Sequence, residues 1–365
     1  MKSPIDPQLL GACPLFAGHG LEELVDIAQY MRPVEAEAGS RLFTQGDPAE
    51  GLYVVERGKV RIVSRLPGDK AVELVQIGPG ELFGEVALVI HGRHSTTAEV
   101  IEPFKGCFFS RLHFEMLRSD LRPSAFRTMN AITETICARI RGQVDEVRES
   151  LPKRGKAARA ERFSPRASAR QPRSAVGRSA HRPSTPAGRA GAGDLAAGSS
   201  RQRSELFDPD RLRRLPLFQP YSETELKALV EPLRSRHLAR GARLIAPGDP
   251  PGRCILVVRG ALRLSVQQGA AQEQVAILGP SQMTGQLALM DGRAEPLLCE
   301  AREAADVLEM SRSRFQTIRA AADPLAFGFF ESVNRSLVAL LRKNNRLLSL
   351  LAVQGRLPQR VRQST

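Results

Sequence analysis

Apolar and polar positions along the chain follow two different rhythms, and each switch between them marks an element. Leu21 to Tyr30 carries apolar side chains at helical spacing. Brief β-rich runs follow, Leu52-Tyr53-Val54-Val55, Val60-Arg61-Ile62-Val63 and Val72-Glu73-Leu74-Val75, separated by Gly58 and by Pro67-Gly68-Asp69. Gly46-Asp47-Pro48 and Pro79-Gly80 predict tight corners, because glycine reaches positive φ without steric cost and proline fixes its own φ. Helical spacing then returns. It covers the short segment 112–120 and a long one from about Ser124 to Arg148, with Met129, Ile132, Ile136, Ile140, Val144 and Val147 on one face. The expected unit is a short helix, a small antiparallel roll and closing helices.

The same order recurs downstream. Pro14-Leu15-Phe16 returns as Pro216-Leu217-Phe218, Gly39-Ser40-Arg41-Leu42 as Gly241-Ala242-Arg243-Leu244, and Gly46-Asp47-Pro48 as Gly248-Asp249-Pro250, at an offset of 202. Gly58 matches Gly260 in the same way. With one fewer residue in the second copy, Gly84-Glu85-Val86-Ala87-Leu88 lies over Gly285-Gln286-Leu287-Ala288-Leu289. The chain therefore reads as two copies of one domain, 8–150 and 205–353, joined by 151–204 and followed by a tail, 354–365. The fold expected is mainly β with flanking α. It consists of two tandem antiparallel β-rolls of the double-stranded β-helix or jelly-roll type, each with a short N-terminal helix and C-terminal helices.

In the last helix Phe330, Val333, Leu337, Leu340, Asn344, Leu347 and Leu351 alternate at spacings of three and four. Such a stripe either packs on its own roll or forms a coiled-coil seam, where a buried asparagine sets register between two strands. A homodimer through 330–351 is the expectation.

Composition narrows the classes further. A chain of 365 residues, 42% hydrophobic and 25% charged, is globular and long enough for two or three domains. Its most apolar long stretch, Leu337 to Val353, is interrupted by Arg342, Lys343, Asn344, Asn345 and Arg346, short of the ~20 apolar residues that a membrane-spanning helix needs. Pro4 and Asp6 stand where a signal peptide would carry its apolar run, so a cytoplasmic location is expected. Cys13, Cys107, Cys137, Cys254 and Cys299 are too far apart for a zinc site or a disulfide framework, and the histidines lack metal-ligand spacing. No metal and no cofactor are expected.

Of the net charge of +14, +11 falls in 151–204, where thirteen Lys or Arg face only Glu161 and Asp194. With Leu151, Phe163, Val176 and Leu195 as its only larger apolar residues, this stretch has too little to bury and reads as a disordered basic linker. It is either a solvated spacer or a contact for nucleic acid through charge alone.

Candidate chemistry follows Pro79-Gly80-Glu81-Leu82-Phe83. Gly84-Glu85-Val86-Ala87-Leu88 comes next, and nine residues past the glutamate the basic pair Arg93-His94 leads into Ser95-Thr96-Thr97. A helical turn beginning at Glu85 directs backbone N–H groups and its positive dipole end at an anion, and Gly84 lets the backbone approach closely. This arrangement resembles the phosphate-binding cassette of cyclic nucleotide-binding domains, the family of the regulatory subunits of cAMP-dependent protein kinase and of the bacterial catabolite activator protein. The likeness spans nearly all of both copies.

The resemblance implies a cyclic nucleotide, cAMP or cGMP, bound in copy one by Phe83, Gly84, Glu85, Val86, Ala87, Arg93, His94, Ser95 and Thr96. Glu85 would accept a hydrogen bond from a ribose hydroxyl. The family's phosphate-clamping arginine is His94 here, and imidazole is only partly charged at neutral pH. Arg93 takes the clamp position if the loop around His91-Gly92 carries one extra residue. Base contacts in the family come from the closing helix, which points to Met129 or Thr133.

Copy two departs further, with Gln286 in place of the acid and Glu295 in place of the arginine. A carboxylate repels phosphate, so copy two is expected to be a pseudo-domain. No nucleophile–base pair, metal cluster or Walker-type loop supports an enzymatic role, and the residues after the seam are too few for the helix-turn-helix of the bacterial activators. The expectation is a cyclic nucleotide-responsive regulator in signal transduction, read by a protein effector. A ligand-free interaction module, or a regulator binding nucleic acid through 151–204, stays open as an alternative.

Overall fold

The computed structural model describes residues 5–65, 71–152 and 212–357. The Pro67-Gly68-Asp69 turn, the expected linker from residue 153 onward and most of the tail lie outside the described residues.

In copy one, α1 (Pro7–Gly11) and α2 (Leu21–Ala28) precede β1 (Met31–Ala36), β2 (Arg41–Phe43), β3 (Gly51–Arg65), β4 (Ala71–Ile77) and β5 (Leu82–Phe83). The one-turn helix α3 (Val86–Val89) follows, then β6 (Thr97–Ser110), α4 (Arg111–Ser119) and α5 (Pro123–Ser150). Copy two runs α6 (Glu223–Val230), β7 (Arg234–Leu238), β8 (Arg243–Ile245), β9 (Arg253–Arg259), β10 (Leu262–Gln268), β11 (Ala271–Leu278) and β12 (Met283–Thr284). It closes with α7 (Gln286–Asp291), β13 (Leu298–Ala301), β14 (Ala305–Ser311), α8 (Arg312–Ala321) and α9 (Pro324–Val353).

The strands pair antiparallel in both copies, so the chain folds into the two β-rolls with flanking helices that its pattern predicts. In copy one the sheet order is β1-β6-β3-β4, with β2 on β6 and β5 on β3. In copy two the same roll is divided into β11-β10-β13-β8 and β12-β9-β14-β7. The difference lies at one corner. The runs on either side of Gly58 are a single 15-residue strand, β3, which bends through register shifts between Val55 and Val60 instead of ending. Gly58 has φ +85°, and a Cβ there would stand 2.1 Å from the Pro103 carbonyl oxygen. Gly260 repeats this, with φ +78° and 2.3 Å to the Ala304 carbonyl, and there the strand breaks into β9 and β10. Only glycine fits either corner.

Both long helices start with a proline in their first turn, Pro123 and Pro324, where a missing N–H costs nothing. Asp323 caps α9 by accepting from the Ala326 N–H at 2.7 Å. Phe43, Val55, Val60, Phe83, Val100 and Phe104 fill the roll of copy one. A second apolar cluster belongs to both copies, because α5 and α9 pack along each other and bury Ile132, Ile136 and Ile140 with Val333, Leu337 and Leu340. Phe126 meets Phe327 and Phe330 edge to face, at 5.1 and 6.1 Å between ring centres.

The seam expected between two chains finds a facing helix within this one. The stripe from Phe330 to Leu351 is buried, Leu347 in part, and its facing helix is α5 of the same chain. Two copies of one helix tethered in a single chain meet at a high effective concentration, so the seam closes internally. An offset of 201 relates the partners, Pro123 to Pro324 and Phe126 to Phe327. Polar contacts tie the copies as well. Arg141 of α5 pairs with Asp291 of copy two, Arg118 with Glu331 at 3.1 Å, and Arg319 with Glu134. Among the described residues no helix is long and apolar enough to cross a membrane.

Candidate functional site

A cavity of about 370 Å³ opens between the roll of copy one, α5 and α9. The expected residues from Phe83 to Ala87 and from Arg93 to Thr96 all line it. Gly84 turns the chain from β5 into α3 at φ +82°, where a Cβ would stand 2.8 Å from the Gly51 carbonyl oxygen. Gly285 does the same in copy two at φ +84°.

Glu85 has no exposed surface. Its Oε1 accepts from Arg139 Nη1 on α5, while its Oε2 is buried with no partner. A buried carboxylate oxygen left unpaired carries a desolvation cost that a hydroxyl donor would relieve. Glu85 thus offers the cavity one free acceptor, held in orientation by a guanidinium.

The two basic residues of the cassette are both engaged with the roll. The His94 ring lies flat on Phe43, 3.6 Å between centres and 5° from parallel. Burial holds its pKa below the usual histidine value despite Asp47, so the imidazole is neutral at neutral pH. Its backbone is fixed by the Asp47 carbonyl and the Gly46 N–H, each at 2.9 Å. Arg93 donates through Nη1 to the Gly46 carbonyl at 2.6 Å.

The remaining wall differs from the one expected. Met129 and Thr133 are buried in the core, with Thr133 Oγ1 donating to the Met129 carbonyl at 2.7 Å, and neither lines the cavity. From α5 the lining residues are Arg139, Gly142, Gln143 and Glu146, roughly two to five turns further on, and from α9 they are Leu341, Arg342, Asn345 and Leu348. Gln143 Nε2 donates to Asn345 Oδ1 across the seam, and Gln143 Oε1 is buried without a partner. Burial, with Glu149 nearby, raises the pKa of the Glu146 carboxyl. The signal that would have found the α9 residues is the repeat itself, carried past the roll into the helices.

Copy two holds its cassette differently. Gln286 Nε2 donates to the Met283 carbonyl at 3.2 Å. Glu295 takes the backbone place of His94, its N–H on the Asp249 carbonyl at 2.9 Å and its carbonyl accepting from Gly248 at 2.8 Å. Its buried side chain has a pKa pushed up to about 7, by desolvation first, with Arg141 opposing and Asp291 and Asp249 adding. Arg141 enters this loop from copy one, gripping the Asp291 carboxylate with Nε and Nη2 and donating to the Ala294 carbonyl at 2.9 Å. Among the described residues no cluster of His, Cys, Asp or Glu is placed to hold a metal ion.

A family model described as the cyclic nucleotide-binding domain matches residues 33–120 and 235–321. The cyclic AMP receptor protein of Thermus thermophilus is 41% identical over 90 residues, which are 24% of this chain and 41% of that protein. The acetyltransferase Pat of Mycolicibacterium smegmatis is 33% identical over 108 residues, 30% of this chain and 32% of that enzyme. The chain spans less than half the length of these curated relatives. The regulatory domain of Toxoplasma gondii PKA, solved with cAMP, aligns over 87% of this chain and 91% of its own at 15% identity, with a TM-score of 0.30. A score that low carries no argument.

Proposed function

From the premise that this chain carries two cyclic nucleotide-binding domains, we propose that it is a regulatory protein that binds a cyclic nucleotide in copy one, with copy two as a ligand-free partner domain. The observation that carries the reading is the buried Glu85, one oxygen held by Arg139 and the other unpaired at the wall of a cavity of about 370 Å³. That volume is within the range of small-ligand sites. In the reading, the ribose hydroxyl completes Glu85, the phosphate lies against the turn from Gly84 to Ala87, and the base reaches the wall formed by α5 and α9.

Mechanism follows from who lines the site. Since α9 of copy two contributes Leu341, Arg342, Asn345 and Leu348, ligand in copy one touches both halves at once. Binding then draws α5 and α9 onto the roll, and the change is passed to whatever effector reads the joined helices. Departures at Gln286 and Glu295, with Arg141 and Asp291 occupying the loop, support a copy two without cyclic nucleotide.

Calorimetry on the full chain with cAMP and cGMP tests this. One site per chain is expected, and Glu85→Ala is expected to weaken it by roughly ten- to a hundredfold, the loss of a charged hydrogen bond. No heat and no thermal shift with either nucleotide at millimolar concentration would leave the chain a ligand-free interaction module.

A further inference from the structure

Copy one's missing clamp has a replacement in the other half of the chain: we propose that Arg342, on α9 of copy two, binds the phosphate of the cyclic nucleotide held in copy one. This deepens the reading above and rests on it. Four basic side chains line the cavity, Arg93, His94, Arg139 and Arg342. Two are occupied elsewhere, and a third is turned back onto its own loop. His94 is stacked on Phe43, Arg139 is committed to the Glu85 carboxylate, and Arg93 turns back onto the Gly46 carbonyl. Arg342 is half-buried and donates through Nη2 to the Arg93 carbonyl at 3.2 Å, which sets its guanidinium over the cassette loop. Among the described residues neither Arg342 nor Arg93 pairs with a carboxylate, but the Arg93 side chain is turned back onto its own loop, whereas Arg342 reaches that loop from the facing helix.

Copy two contains the completed version of the same arrangement. The offset of 201 makes Arg141 the counterpart of Arg342, and Ala294 the counterpart of Arg93. Arg141 crosses from α5 to the Ala294 carbonyl at 2.9 Å, as Arg342 crosses from α9 to the Arg93 carbonyl. Arg141 also holds an anion, the Asp291 carboxylate, with two nitrogens. The residue of copy one that corresponds to Asp291 is Ile90, an uncharged member of the cavity wall. Copy two thus supplies its arginine with a built-in anion, and copy one leaves the matching arginine beside open space. A guanidinium presents parallel donors that fit two phosphate oxygens and stays charged at any working pH. Glu146, also in this wall, stands one turn beyond Gln143 on α5, while Arg342 is anchored at the cassette by its bond to Arg93.

Titration calorimetry of the full chain with cAMP and cGMP, on wild type, Arg342→Gln, Arg342→Lys and Arg93→Gln with melting temperatures recorded for each, tests the assignment. Arg342→Gln should bind roughly ten- to a hundredfold more weakly, with a flatter dependence of affinity on salt and little change in melting temperature. Lysine keeps the charge without the fork, so Arg342→Lys should lose roughly three- to tenfold, less than the glutamine variant, and it carries the test if the glutamine variant folds poorly, since unchanged affinity there would also overturn the clamp. Unchanged affinity in folded Arg342→Gln, a lysine variant weaker than that, or a larger loss from Arg93→Gln would overturn the clamp while leaving copy one as the ligand site. Failure of wild type to bind either nucleotide would overturn the functional reading, and this assignment with it.

Discussion

Glu295 shows how much one side chain's surroundings matter. Its carboxyl has a pKa of about 7 in the folded chain against an ordinary value of 4.5, with burial as the leading cause. Between those values the folded state binds more protons than the unfolded one, so this residue's contribution to stability is present at low pH and is lost as pH rises through about 7. Glu295→Gln should therefore gain on wild type in thermal melts as pH rises from about 5 to about 8, by on the order of 3 kcal/mol at the upper end. A pH-independent difference would remove Glu295 as its source. The residues of the cassette were legible in the sequence because they are contiguous and their types are dictated by backbone geometry, as at Gly84. Arg139, Gln143, Asn345 and Arg342 were not, because a helix face is chosen by what packs on it, and here that is a segment some two hundred positions away. Met129 and Thr133 do not line the cavity for the same reason: the core claims their side chains, and the cavity lies further along α5.

At the level of elements, α5 and α9 concentrate the energetics. Leu337 is fully buried in the seam, and Leu337→Ala should cost about 2–5 kcal/mol of stability in denaturant melts, the range for a core leucine that leaves a cavity. Asn344 behaves oppositely. It too is fully buried, yet neither its Nδ2 nor its Oδ1 has a partner. Asn344→Leu should raise stability by about 1–3 kcal/mol, since it removes two unmet hydrogen-bonding groups. A loss on that substitution would mean the amide has a partner in solution. The heptad stripe itself was readable from spacing, but its partner was not, because a stripe of this kind specifies an apolar face and leaves open which helix covers it. At Gly58 the sequence marked the corner correctly, and only packing decided that β3 bends through it while β9 and β10 separate at Gly260.

For the molecule as a whole, the internal seam predicts a melting temperature independent of chain concentration across a hundredfold dilution, because no association is linked to closing it. A rise in melting temperature with concentration would point back to a seam between chains. Most of the net positive charge, +11 of +14, falls in 151–204 of the sequence. If that stretch contacts nucleic acid, deleting it should abolish DNA binding together with its steep salt dependence. Retained binding would exclude it. The duplication was visible in the sequence from glycine and proline punctuation, whereas its consequence, two rolls facing each other across paired helices, needed the packing of α5 on α9. A homodimer must carry every substitution twice, but a fused pair does not, and here Arg141 holds the Asp291 carboxylate in the loop of copy two, where copy one has Ile90. On the proposed reading, with copy one as the single seat, occupancy cannot sharpen itself, so the dose–response should be hyperbolic, with about an eightyfold rise in nucleotide between one-tenth and nine-tenths saturation.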